Sequence, residues 1–375
     1  MKLQRKNRLR AIAAGALAVS GALVLTACGS DDNSDSNGGD TKKPVAGSIK
    51  CEGDGKLLAS GSSAQRDAMD LWVKNFGSEC KDISVNYKGT GSGAGIQEFL
   101  QGKTQFAGSD SALKPEEVET SKKVCKSGQG INLPMVGGPI AIGFNVDGVD
   151  KLTLNAETIA KIFDSKIKKW NDEAIAKLNP DVKLPDLKIQ AFHRSDDSGS
   201  TDNFTKYLKA AAPQAWPYEP AKAWAGEGGG SADGSSGVAS QVKQVNGAIS
   251  YYELSYAASN GTKTVDLDTG SGTPVQATVE NASKAIAEAK IVGTGKDLAL
   301  KLAYDTKAAG AYPITLVTYE IACDKGNDPK SLTALKSFLG YTSSEAGQSS
   351  LKELGFAPLP AEVATKVRDT VASLS

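Results

Sequence analysis

The sequence predicts an α/β protein of two lobes with a ligand cleft between them, and three observations point there. A short strand, a Gly/Ser-rich turn and a helical stripe follow one another three times, at residues 56–76, 83–101 and 188–208. Two apolar runs rich in strand formers, 133–145 and 312–323, are long enough to leave one lobe and to return to it. The chain from residue 49 to 375 is also long enough for two cores. Loops at the carboxyl ends of parallel strands are where α/β proteins bind ligands, and two-lobed clefts are a common setting for closure by hinge motion. A chain that crosses out near residue 138 and back near 314 gives one lobe of 49–138 plus 314–375 and a second of 139–313.

Taken in order, the chain opens with Lys2, Arg5, Lys6, Arg8 and Arg10, then an apolar run over 11–25, then Leu25-Thr26-Ala27-Cys28. A basic start, a short apolar stretch and a small-residue cleavage site make a secretory signal over 1–27, too short to span a membrane. The ending resembles a bacterial lipobox, which implies cleavage before Cys28 and a lipid on its sulfur. Residues 28–48 then form the lipidated cysteine and a tether of Ser, Asp, Asn, Gly and Lys with too little apolar surface to fold. Loss of the five basic residues leaves the mature chain about five charges negative. That argues against nucleic acid as a partner and requires any anion to be held by local geometry.

The first unit runs from a strand at 56–60 through Ser60-Gly61-Ser62-Ser63-Ala64 into a helix at 65–76 whose Met69, Leu71, Trp72, Val73 and Phe76 form the apolar stripe. The second is a strand at 83–87, the turn 88–95 and a helix at 96–101. A strand over 104–113 then meets a carboxylate, Asp110, which on propensity could simply cap a turn. Helical pieces follow at 159–163 and 172–178. The third unit is the strand 188–192, then Arg194, then Ser198-Gly199-Ser200-Thr201 opening a helix with Phe204, Tyr207 and Leu208 on one face. Free backbone N–H groups, the positive end of the helix dipole, a glycine that permits close approach and a two-pronged guanidinium together suit an anion. An ordinary Ser-capped helix beside a surface arginine fits the same letters. Beyond it come a Gly/Ser-rich segment at 225–237 containing Asp233, a helix at 236–245 and a strand at 248–253. Smaller strands at 274–278 and 291–294 flank a helix at 281–289, and three amphipathic helices at 332–338, 344–354 and 361–372 close the chain.

Four cysteines remain beyond Cys28, an even number that in an exported chain suggests two disulfides; metal binding would want closer spacing and histidines. A helix running back along the first strand brings Cys51 and Cys80 to the same end of that unit, which leaves Cys125 for Cys323. Histidine-based nucleophilic catalysis could be built only at His193, the single histidine, and no serine lies in G-x-S-x-G. Gly102-Lys103-Thr104 follows a helix instead of opening one, so it is no phosphate-binding P-loop. The glycines at 91, 93 and 95 miss the dinucleotide spacing by one residue. Zinc-type metal ligands are lacking.

The landmarks Gly61-Ser62-Ser63-Ala64-Gln65, Val85-Asn86-Tyr87 through Gly91-Ser92-Gly93-Ala94-Gly95, Gly108-Ser109-Asp110, Arg194 through Thr201 and Tyr312-Pro313-Ile314-Thr315 occur in one order over residues 56–371. In this the chain resembles the phosphate-binding lipoproteins of phosphate-specific ABC importers, of actinobacterial type. The resemblance implies a type II periplasmic-binding-protein fold, with the ligand cleft between lobes joined by two crossover strands. It implies a monomeric, lipid-anchored receptor on the extracytoplasmic face of the cell membrane that closes on inorganic phosphate and delivers it to a permease and ATPase complex, with no cofactor and no chemistry on the ligand. By position it implies donors from Ser63 and the Ala64 N–H, from Ser92, and from Arg194, Ser198, Gly199 and Ser200. Asp110 would accept from a protonated phosphate oxygen, and Asp196 would hold Arg194. Ser63 and Ser200 stand where threonine is usual, and Ala64 where some relatives carry an aromatic.

Independent chemistry favours the same ligand. Phosphate near neutrality keeps a proton and sulfate does not, so a fixed carboxylate attracts the first and repels the second, a kind of discrimination that can reach ~10⁴ to 10⁵. The other readings are the same fold tuned to another oxyanion, a secreted phosphohydrolase holding its product, and a surface adhesin or sensor.

Overall fold

The computed structural model describes residues 49–375; the signal, Cys28 and the tether lie outside the described residues. In chain order the elements are β1 (Gly55–Gly61), α1 (Arg66–Glu79), β2 (Ile83–Lys88), α2 (Ser92–Leu100), β3 (Phe106–Ser109), α3 (Pro115–Ser121) and β4 (Gly130–Asn145). Then follow β5 (Thr153–Asn155), α4 (Ala156–Phe163), α5 (Glu173–Leu178), β6 (Gln190–Arg194), α6 (Gly199–Ala211), β7 (Gly230–Ala232), α7 (Gly234–Gln244), β8 (Ala248–Glu253) and α8 (Leu254–Asn260). The rest comprises β9 (Lys263–Thr264), β10 (Asp266–Asp268), α9 (Val279–Ala287), β11 (Lys290–Ile291), β12 (Leu300–Lys301), β13 (Thr315–Cys323), α10 (Pro329–Thr342), α11 (Glu345–Ser349) and α12 (Ala361–Ala372).

The main sheet has the order β2-β1-β3-β13-β4-β8-β6-β7, with β9 added to β4. β1 pairs in parallel with β2 and β3, and β6 pairs in parallel with β7 and β8. β4 belongs to both parts of this sheet. Its residues up to Pro139 pair with β13, whereas Ile140 to Asn145 pair with β8. The Ile140 N–H donates to Ile314 O at 2.8 Å and the Tyr312 hydroxyl to Ile140 O at 2.9 Å, so the outgoing and returning strands lie side by side where the pairing changes.

Each part has its own apolar core. One gathers Trp72, Phe76, Phe106 and Phe338 under β1 and β3; the other gathers Phe144, Trp170, Phe204, Trp216 and Tyr251 around β8. Each fully buried aromatic contributes roughly 2–3 kcal/mol of transfer free energy, so each core can hold its own turns in place. The helical stripes bury the expected faces, Met69, Trp72 and Phe76 on α1 and Phe204, Tyr207 and Leu208 on α6. Disulfides join Cys51 to Cys80 and Cys125 to Cys323, the pairing expected from the sequence.

Three expectations are corrected. α2 begins at Ser92, four residues before the expected 96, because Ser92-Gly93-Ala94-Gly95 is itself the first turn of the helix. The strand expected at 274–278 reduces to a single bridge from Val275 to Leu267, since Thr278 caps α9 by accepting the Asn281 N–H. The helix expected at 344–354 stops at Ser349 and resumes as a 3₁₀ turn over Lys352–Leu354 that ends on Gly355 in the left-handed region. No described helix is long and apolar enough to cross a membrane.

Candidate functional site

Four helices, α1, α2, α6 and α7, start close to one another, each preceded by a strand that delivers its first residues. On the side of β1–β3, the chain leaves β1 at Gly61 and places Ser62 and Ser63 before α1. Ser62 Oγ donates to Asp110 Oδ1 at 2.6 Å. Ser92, the first residue of α2, donates from Oγ to Asp110 Oδ2 at 3.1 Å and accepts the Asp110 N–H at 3.1 Å. Thr318 on β13 adds a third hydroxyl, donating to Asp110 Oδ1 at 2.7 Å. The Asp110 carboxylate is thus 3% exposed and held by three O–H donors. Burial pushes its pKa up, the nearby Glu253 charge adds to this, and the three hydroxyls oppose both; the net position is about 6.

On the other side, β6 ends at Arg194. Its Nε donates to Asp196 Oδ1 at 2.7 Å, Nη2 to Asp196 Oδ2 at 2.5 Å and Nη1 to Ser235 Oγ at 3.0 Å. The guanidinium is therefore clamped in its plane while almost fully buried. Burial pushes the Asp196 carboxyl up, but the hydrogen bonds and charge of Arg194 outweigh it and hold Asp196 below the usual range. Ser198 caps α6 by accepting the Thr201 N–H at 3.2 Å. Ser200, one turn position on, donates from Oγ to Glu253 Oε1 at 2.5 Å.

These two walls touch. A Cβ on Gly199 would lie 2.6 Å from both Asp110 Cβ and Ser92 Oγ, so only glycine lets the start of α6 come this close to the carboxylate. The Ser235 N–H donates to Ser63 Oγ at 3.1 Å, the Gly93 N–H to Asp197 O at 2.9 Å, and Asn203 Nδ2 to Asp110 O at 2.7 Å. An ion pair between Lys222 and Glu117, 3.7 Å apart, lies in the same seam. Among the described residues, the backbone N–H groups of Ser63, Ser92, Gly199 and Ser200 donate to no protein group although all four residues are buried. Buried unpaired amides at helix starts, one clamped cation and one carboxylate that accepts hydrogen bonds are chemistry suited to a small anion that carries a proton.

The sequence-derived residues Ser63, Ser92, Asp110, Arg194, Asp196, Ser198, Gly199 and Ser200 are all brought to this seam. Three of the expected donors stand differently. The Ser92 hydroxyl hydrogen goes to Asp110 Oδ2, which leaves the Ser92 backbone N–H as the unpartnered donor. The Ala64 N–H is donated to Ser62 Oγ at 3.0 Å, so the unpartnered amide of that turn is Ser63's. The Ser200 hydroxyl hydrogen is held by Glu253. Ser62, Thr318, Ser235 and Glu253 were not foreseen. Ser235 carried the same signal as the others: Gly230–Ala232, Asp233-Gly234 and α7 are a fourth strand, Gly/Ser turn and helix. His193 has no nucleophile to activate. Its ring stacks on Trp224 at 4.9 Å, Nδ1 lies 3.0 Å from Arg194 O, and burial lowers its pKa.

Comparison with known proteins agrees with this geometry. A model of the PBP superfamily domain matches residues 41–346. The phosphate-binding protein PstS 3 of Mycobacterium tuberculosis is 41% identical over 372 residues, covering 98% of this chain and 99% of that protein. PstS 2 of the same organism is 39% identical over 370 residues, covering 98% and 99%. Among solved structures, a high-affinity periplasmic phosphate-binding protein bound with phosphate superposes with a TM-score of 0.67 at 22% identity, covering 84% of this chain and 93% of that one. A phosphate-binding protein from Stenotrophomonas maltophilia gives 0.61 at 18% identity, with 84% and 93% covered. At such identities these two carry the fold, which is the two-lobed type II periplasmic-binding-protein fold. A family-model match over most of the chain and near-full-length identity of about two residues in five leave one assignment: the chain belongs to the PstS family of phosphate-binding proteins within the PBP superfamily.

Proposed function

We propose that this protein is an extracytoplasmic receptor for inorganic phosphate that closes on its ligand and presents it to the permease and ATPase of an ABC importer, without chemistry on the ligand. The observation that carries the reading is Asp110: a buried carboxylate with no hydrogen to donate, facing the amide-rich start of α6 across from a clamped arginine. In this reading Arg194, the amides of Ser63, Gly199 and Ser200, and the groups of Ser92 and Ser198 take the unprotonated phosphate oxygens. Asp110 takes the P–O–H. Charged hydrogen bonds contribute roughly 1.5–3 kcal/mol each, enough for a tight complex after desolvation and closure are met. Sulfate offers no proton to Asp110 and meets a repelling charge instead.

The lobes in this reading are 49–138 with 314–375, and 139–313, hinged where β4 passes from β13 to β8. The Leu25-Thr26-Ala27-Cys28 ending supports cleavage before Cys28 and a lipid anchor there, with 29–48 as tether. The receptor acts as a monomer. Calorimetric titration of the purified protein with phosphate and with sulfate tests the reading: phosphate binds and sulfate does not at pH 8. Equal affinity for the two would assign the site to oxyanions in general.

A further inference from the structure

Glu253 is a buried ionisable group of the seam to which neither the family resemblance nor the reading above gives a task. It ends β8, is 3% exposed, and uses only one oxygen. Oε1 accepts from Ser200 Oγ at 2.5 Å, while Oε2 is buried and has no partner among the described residues. A carboxylate left half-satisfied in a low-dielectric site is costly, so what it does to its one partner matters. A hydroxyl has a single hydrogen. While Glu253 is ionised it takes that hydrogen, and Ser200 can show a ligand only lone pairs. If a proton is added to the pair, Glu253 can donate to Ser200 and the serine hydrogen is released toward the ligand.

We propose that Glu253, acting through Ser200, is a second proton-reading position of the phosphate site. The inference rests on the phosphate reading above. Asp110 demands one proton of the bound ligand, and the Ser200–Glu253 pair demands one more. That second proton resides on the phosphate oxygen that meets Ser200. Above neutrality, where free phosphate carries a single proton, binding must then draw one from solution. Glu253 is a positioning residue in this scheme, since Ser200 makes the contact.

The groups facing Glu253 from neighbouring elements narrow the source of that proton. Asp110, after β3, titrates near 6 and is ionised in the alkaline range. Arg194 on β6 stays charged, with Asp196 bonded to it. Tyr256 on α8 is pushed up by burial first and then by the Glu253 charge, and stays neutral. None of them changes protonation between pH 7.5 and 9, which leaves the ligand that meets Ser200 as the carrier of the added proton.

The test is calorimetry of the full-chain protein with inorganic phosphate at pH 8.5, in two buffers of different protonation heat, repeated across that range. The unaltered protein should take up about one proton per phosphate, and its affinity should fall about tenfold per pH unit. In Glu253→Gln the amide can donate to Ser200 without any added proton, so uptake should fall towards zero and the pH slope should flatten. Ser200→Ala, which removes the hydroxyl through which Glu253 acts, should lose the uptake as well and serves if the glutamine variant does not fold. The same uptake and slope in either variant as in the unaltered protein would overturn the inference while leaving the phosphate reading intact. If the unaltered protein gives no binding heat with phosphate at any pH, both fall together.

Discussion

The two walls of the cleft are made from the same unit, a strand delivering a Gly/Ser turn to a helix start, yet one is centred on a carboxylate and the other on a guanidinium. On the wall of β1, β2 and β3, hydroxyls from Ser62, Ser92 and Thr318 converge on Asp110. On the wall of β6 and β8, Asp196 and Ser235 converge on Arg194. The amides of the helix starts attract any anion. In the proposed reading the charged residue adds something different on each wall: the arginine supplies affinity for negative charge, and the aspartate supplies a test for a proton. An anion site can thus separate strength from selectivity by placing them on different walls, which closure brings together.

The largest effect should come from removing the cation. Arg194→Ala removes the cation and leaves the half-buried Asp196 without its partner, so phosphate affinity should fall by roughly 2–5 kcal/mol, read by calorimetry. Near-intact binding would mean that the start of α6 is not part of the site. Asp110→Asn should act differently. Phosphate weakens by less than in Arg194→Ala, while sulfate, undetectable before, begins to bind; unchanged sulfate exclusion would make Asp110 a turn cap.

The same wall predicts a pH signature. Asp110 sits near 6 in the folded protein against 3.8 as an ordinary aspartate. The folded state therefore keeps a proton that the unfolded chain has released, and ligand-free stability declines as pH rises from about 4 through 6, by on the order of 3 kcal/mol. Asp110→Asn has no charge to bury, so at pH 8 its ligand-free form should melt higher than the unaltered protein in scanning calorimetry. A lower melting temperature would contradict the burial argument.

Ser235→Ala removes one hydrogen bond from Arg194 and one from Ser63, and should cost ~1 kcal/mol of phosphate affinity. The smallest effect is expected at Glu320 on β13. Both of its oxygens and Gln65 Oε1 are buried without partners, and burial first, then the Asp110 charge, drives its pKa well up. Burial thus favours its neutral form, so Glu320→Gln should leave stability within ~0.5 kcal/mol; a loss of several kcal/mol in denaturant titration would contradict the burial argument.

The chain lent itself unevenly to reading. The strand–turn–helix units stood out because Gly and Ser punctuate apolar stripes such as Met69, Trp72 and Phe76, and because β8 is rich in strand formers, Ile249, Tyr251 and Tyr252. Asp110 and Arg194 were legible as lone charges at strand ends. Thr318 was not, since a threonine inside a β-branched strand reads as strand propensity, and its contact lies 208 residues away in sequence. Glu253 closes a strand and opens a helix, where a carboxylate has a local explanation. Only the fold brings it to Ser200, 53 residues earlier. The Ala64 amide went to Ser62 because a serine two residues before a helix turn competes for the nearest N–H.

The most direct test of the two-wall account is a pair of calorimetric titrations of the purified protein, phosphate against sulfate, at pH 8 and again at pH 5. With Asp110 ionised at pH 8, phosphate should bind and sulfate should give no heat; at pH 5, where Asp110 is protonated and can donate, sulfate binding should appear. Sulfate binding as tight as phosphate at pH 8 would contradict the account at its centre.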